Sequence, residues 1–148
     1  MRQTAAALLL LLACAAALAG CRYAPEGGAG GGAGEPGADE VIRQLGELTE
    51  ELAGRVESAA DPKAGVAEAR RLLDSRKDEM AARIGALRRG ALARDAAAKG
   101  RWLEAEVDGT QRVSRLRLKY LDASMRDPEL KAGLDRLAAD YDAMFKGR

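Results

Sequence analysis

DEVIRQLGELTEELAGRVESAADP, residues 39–62, decides the fold. Val41, Leu45, Leu48, Leu52 and Val56 recur at spacings of three and four, which puts them on one stripe of a helix that runs to about Ala60. Asp61-Pro62 then supplies an N-cap and a first-turn proline, the signature of a tight joint followed by a new helix. The same grammar continues downstream. In a second helix Val66, Ala69, Leu73, Met80, Ile84 and Leu87 keep the stripe, and Arg88, Arg89 and Gly90 provide a basic last turn and a C-cap. Asp95 is placed to cap a third helix with Trp102, Val113, Leu116 and Tyr120 inward and a weak point at Asp108-Gly109. Asp127-Pro128 repeats the joint, and Leu130, Leu134, Leu137, Tyr141 and Phe145 form the last stripe. An uninterrupted helix over 62–126 is the competing reading of the middle.

Composition agrees. Aromatic residues are 3% of the chain against 47% apolar, so the core must be built from Leu, Val, Met and Ala, which suits helices better than sheets. The expected fold is all-α: a small antiparallel bundle at residues 39–148, running up-down-up-down, with four helices of unequal length or three long ones and a short fourth. Glu51 with Arg55, Glu79 with Arg83, Asp108 with Arg112 and Asp122 with Arg126 stand at i, i+4 and support the helices by a few tenths of a kcal/mol each.

Upstream the chain changes character twice. Arg22 to Ala38 holds seven glycines and two prolines with no apolar face, a flexible tether whose 17 residues span roughly 20–25 Å. Gly28, Gly30 and Ala33 formally satisfy G-x-G-x-x-A, but no strand precedes them, so phosphate binding is not the expectation. Before the tether, Arg2 and the Ala/Leu run from Ala5 to Ala19 have the layout of an export signal, and the run is too short to span a bilayer. It ends in Leu18, Ala19, Gly20 and Cys21.

Those four residues, L-A-G-C, resemble the lipobox of bacterial lipoproteins at every position. The resemblance implies removal of residues 1–20, a diacylglycerol on Cys21 through a thioether, and acylation of the new amino terminus. Several acyl chains at about 0.8 kcal/mol per methylene make such an anchor effectively permanent. It also implies a place in the cell envelope. Arg22 stands where an Asp would signal retention at the inner membrane of enterobacteria, which points to the outer membrane, facing the periplasm.

The inventory then narrows the chemistry. The chain has two cysteines and no histidine. With Cys14 lost in the leader and Cys21 blocked by lipid, thiol catalysis, histidine acid–base chemistry, zinc sites with Cys or His ligands and c-type haem attachment are all without their residues. No metal, no cofactor and no enzymatic activity are expected. Glu104 and Asp108, one turn apart, are the one carboxylate pair worth weighing, and their basic neighbours favour a surface role. Trp102, the single tryptophan, reads as a core anchor.

Charge is uneven although 24 bases nearly balance 23 acids. Residues 39–61 hold seven acids against two bases, whereas Arg83, Arg88, Arg89, Arg94, Lys99 and Arg101 form a basic run against the single Asp95. That run is the candidate surface for anionic headgroups or an acidic envelope partner; without interleaved aromatics it does not suit nucleic acid. The expectation is a lipid-anchored binding or scaffolding module of the cell envelope. Leu48-Thr49-Glu50-Glu51-Leu52 gives an alternative, since it resembles the LTxxQ motif of small all-helical periplasmic stress chaperones, with Leu52 in place of the glutamine.

Overall fold

The computed structural model describes residues 37–146. Cys21, the expected export signal and most of the expected tether lie outside the described residues. Six helices follow in order: α1 (Ala38–Ser58), α2 (Pro62–Arg89), α3 (Ala91–Arg94), α4 (Ala96–Lys119), α5 (Leu121–Arg126) and α6 (Pro128–Ala143). No strand occurs among the described residues. The four long helices form the expected all-α bundle, and α3 and α5 are short pieces of its connections.

Each restart is chemically specified. The carboxylates of Asp61, Asp95 and Asp127 accept hydrogen bonds from the free backbone N–H groups of the turns they open, at 2.8–3.3 Å. Pro62 and Pro128 occupy first-turn positions where a missing N–H costs nothing. The chain therefore breaks between α2 and α4, and the uninterrupted helix over 62–126 is not formed. Gly90 ends α2 with φ −96°, so its cap is not the left-handed kind. At Tyr120 the break is slight. The amide of Tyr120 still donates to Leu116 at 3.0 Å and that of Ser124 to Tyr120 at 2.8 Å, so the ladder carries over from α4 into α5.

Side-chain contacts across the bundle define who neighbours whom. Gln44 with Arg83 and Glu51 with Arg76 join α1 to α2 antiparallel. Between α1 and α4 the partners keep one offset: Asp39–Arg101 at 3.1 Å, Glu50–Arg112 at 3.4 Å and Glu57–Lys119 at 3.1 Å are each 62 residues apart. A constant offset means parallel helices. Lys63 with Glu129, and Arg88 with the Phe145 carbonyl, follow in the same order along α2 and α6, so that pair is parallel too. The α4–α6 pair is antiparallel through Arg117–Asp135 at 2.6 Å. The long helices thus alternate in direction along the chain as expected, but α3 carries the chain across the end of the bundle. The cyclic order is α1, α2, α6, α4.

All the predicted stripes face one core, which runs from Val41 to Phe145 and includes Leu45, Leu73, Ile84, Leu116 and Leu137. Trp102 and Tyr141 are the largest fully buried side chains. Burying each of these aliphatic side chains removes them from water at about 1.5–3 kcal/mol apiece, which outweighs the surface ion pairs.

Candidate functional site

At the centre of the bundle Tyr141 of α6 reaches between α1 and α4. Thr49 donates its hydroxyl proton to the Leu45 carbonyl at 2.7 Å, so the Tyr141 hydroxyl is the donor in its own 2.6 Å bond to Thr49. Burial pushes the Tyr141 phenol up to about 12. Gly109 lies against that hydroxyl, and a methyl group there would overlap it. Gly109, expected as a weak point, sits inside an unbroken α4 because a tyrosine oxygen needs its bare backbone. A buried neutral phenol bonded to a neutral hydroxyl holds the helices in register; it presents no reactive atom to solvent.

Trp102 is buried as expected, and its indole N–H donates to Glu106 at 2.9 Å. Phe145 packs edge-on to Tyr141, with ring centroids 5.4 Å apart, and lies 6.1 Å from the Trp102 ring. Glu104 and Asp108 are both exposed. Among the described residues no group of three or more His, Cys, Asp or Glu side chains is arranged to hold a metal ion.

The basic run folds to one end of the bundle. The end of α2, all of α3 and the start of α4 meet there, together with Asp39 at the start of α1 and Phe145 after α6. The six residues divide by what they already hold. Arg83 lies in the α1–α2 seam, bound to Glu79 at 2.5 Å and Gln44 at 2.6 Å. Arg88 donates to the Phe145 carbonyl and lies 3.4 Å from Glu106, closing the last turn of the chain onto α2. Arg101 pairs with Asp39. Among the described residues Arg89, Arg94 and Lys99 take part in no side-chain hydrogen bond or ion pair, and all three are exposed. The candidate anionic-partner surface is therefore half the size the run suggests, and Gly37, where the chain joins α1, is at the same end.

A second charged cluster emerges that the linear sequence concealed. Glu57 of α1 accepts from Arg112 at 2.8 Å and from Lys119 at 3.1 Å, which holds its carboxyl down at about 2. Arg112, expected to pair with Asp108 on its own helix, turns instead to Glu57 and Glu50, and its guanidinium is pushed up in consequence. Two acids across a seam outbid one acid a turn away.

Between α2 and α6 runs a groove of ≈ 590 Å³ floored by Ala81, Gly85, Ala143 and Met144 and flanked by Lys77 and Asp140. Its floor is apolar and its walls are charged, with Asp78 and Arg89 beside Lys77 and Asp140. Among the described residues no helix is long and apolar enough to cross a membrane. No family model matches the sequence, and no curated protein or solved structure is significantly similar to it.

Proposed function

We propose that the chain is a lipid-anchored cell-envelope protein, held to a membrane through Cys21, whose bundle is a non-enzymatic binding or scaffolding module that meets an anionic surface with its basic end. The observation that carries this reading is positional: Arg89, Arg94 and Lys99, free of internal partners among the described residues, surround the end of the bundle at which Gly37 leads in. A tether of roughly 20–25 Å attached at that end keeps those cations within reach of headgroups, where each contributes about 1 kcal/mol near an anionic surface. The reading places the protein in the outer membrane, facing the periplasm.

A chaperone role would need an open apolar cleft for unfolded clients. The core is filled by the protein's own side chains, and the α2–α6 groove sets Ala81, Gly85, Ala143 and Met144 between the charged Lys77, Asp78, Arg89 and Asp140, which favours binding at the basic surface over holding apolar segments. The test is vesicle co-sedimentation of the unlipidated bundle. Binding to anionic vesicles should weaken several-fold on replacing Arg89, Arg94 and Lys99 with Gln, and fall with added salt. Equal binding before and after substitution removes the support. A light-scattering assay of client aggregation should show no protection.

A further inference from the structure

Among the exposed polar residues on the outer side of α4 runs an apolar stripe. Leu103 and Val107 are half exposed at 50% and 52%, Leu121 at 51%, and Leu118 and Met125 stand out at 72% and 76%. Three helical turns take about 11 residues. Leu103, Ser114 and Met125 are 11 apart, as are Val107 and Leu118, and Thr110 and Leu121, so all seven lie in one stripe, extended into α5 by the ladder continuing across Tyr120. The stripe is about 33 Å long and offers roughly 500 Å² of apolar surface, at the upper range for a monomer that keeps it bare.

We infer that this stripe is a self-association surface, and that two copies of the chain pair α4 to α4 in parallel. The flanking charges select both the occupant and the direction. Glu104, Asp108 and Asp122 beside the stripe are balanced by Lys99, Arg115 and Arg117, a mixed border that gives an anionic bilayer no net attraction and suits a surface of equally mixed charge. In a parallel pair, residues on one flank meet residues five positions further on along the partner's other flank. That places Lys99 against the second copy's Glu104, twice by symmetry, and brings Asp122 beside Arg117, which Asp135 of its own chain already holds at 2.6 Å. Lys99 and Glu104 have no ion-pair partner within the described residues of one chain. An antiparallel pair fails one of two ways. The register that covers all the apolar residues brings Arg115 beside its own copy. The register that joins Asp108 to Arg115 leaves Met125 overhanging. Only the parallel pair covers Met125 and opposes unlike charges.

The apolar area is below the roughly 800 Å² per partner of a standard interface, so the pair should be weak, in the micromolar range. The surface belongs to the bundle and does not depend on lipid at Cys21. The described residues 37–146 lie in one compact unit whose core is complete within Val41–Phe145, and a fragment spanning residues 31–148 has no cysteine. Sedimentation equilibrium of the fragment should show a monomer–dimer equilibrium. Leu118→Asp, at a site too exposed to unfold the bundle, should weaken it at least about tenfold with an unchanged circular dichroism spectrum. Lys99→Glu should also weaken it, and Lys99→Glu with Glu104→Lys should restore it. Val107→Cys should cross-link to itself with a short bis-maleimide, while Arg136→Cys on α6 should not. A fragment that is monomeric at every concentration overturns the inference, as does vesicle binding that Leu118→Asp abolishes while the fragment stays monomeric. Val107→Cys that cross-links to Leu121→Cys in preference to itself overturns the parallel arrangement.

Discussion

Gly109 offers the sharpest test of the internal architecture, because two ordinary rules give it opposite signs. In an exposed helix interior, Gly109→Ala should stabilise by about 1 kcal/mol through helix propensity. Here the added methyl overlaps the Tyr141 hydroxyl and comes within 3.4 Å of the Thr49 hydroxyl. Overfilling of this kind costs about 1–3 kcal/mol, and forcing Tyr141 off Thr49 adds about 1 kcal/mol for the lost buried hydrogen bond. The clash and the broken bond exceed the propensity gain, so Gly109→Ala should destabilise by about 1–3 kcal/mol, which lowers the melting temperature of a domain this size by several degrees per kcal/mol. Tyr141→Phe alone should cost about 1 kcal/mol, since Thr49 keeps its bond to the Leu45 carbonyl. In the double variant the alanine methyl takes the space the hydroxyl vacates. The two changes should therefore compensate, with a coupling of about 2–4 kcal/mol in a urea-denaturation cycle followed by circular dichroism. A Gly109→Ala protein that is more stable than its parent, with additive behaviour in the double variant, would refute the placement of Tyr141 against α4.

Three further expectations concern the joints and seams. Glu57 has its carboxyl lowered in the folded state from 4.5 to about 2, chiefly by the hydrogen bond from Arg112, so its contribution to stability is present above pH 4.5 and lost as pH falls toward 2. Because the side chain is a quarter exposed, with 26% of its surface accessible, solvent screening reduces that contribution to about 1–2 kcal/mol; acid titration of Glu57→Gln should show a smaller loss over that window. Asp95→Ala removes the cap that starts α4 and should cost about 1 kcal/mol in urea denaturation, with Asp95→Asn costing much less. Trp102, buried beside Phe145, should emit at short wavelength in the folded bundle and shift to the red on unfolding, and a red-shifted native spectrum would contradict its place in the core.

What the sequence discloses and what it hides follow from the range of each interaction. The stripes led by Val41, Val66 and Leu130, and the Asp caps at 61, 95 and 127, depend on neighbours within a few residues, so spacing alone reveals them. The order of helices around the bundle depends on contacts 62 residues apart, such as Asp39 with Arg101, and no local pattern encodes them. For the same reason Arg112 misleads: its near neighbour Asp108 is visible in the sequence and its actual partner Glu57 is not. Gly109 reads as a defect because propensity is local while the reason for the glycine, Tyr141, is a helix away. The basic run is contiguous in sequence, yet folding engages Arg83, Arg88 and Arg101 internally and frees only Arg89, Arg94 and Lys99. The outer stripe of α4 was available from its spacing, but the inward set led by Trp102 and Val113 accounts for the helix by itself and masks the second pattern.

The proposed function depends most on the covalent modification expected at residue 21. Mass spectrometry of the protein purified from its native membrane measures it directly. The account predicts an amino-terminal Cys21 carrying a thioether-linked diacylglycerol, with residues 1–20 absent. An unmodified Cys21, or a peptide that retains the leader, would contradict it.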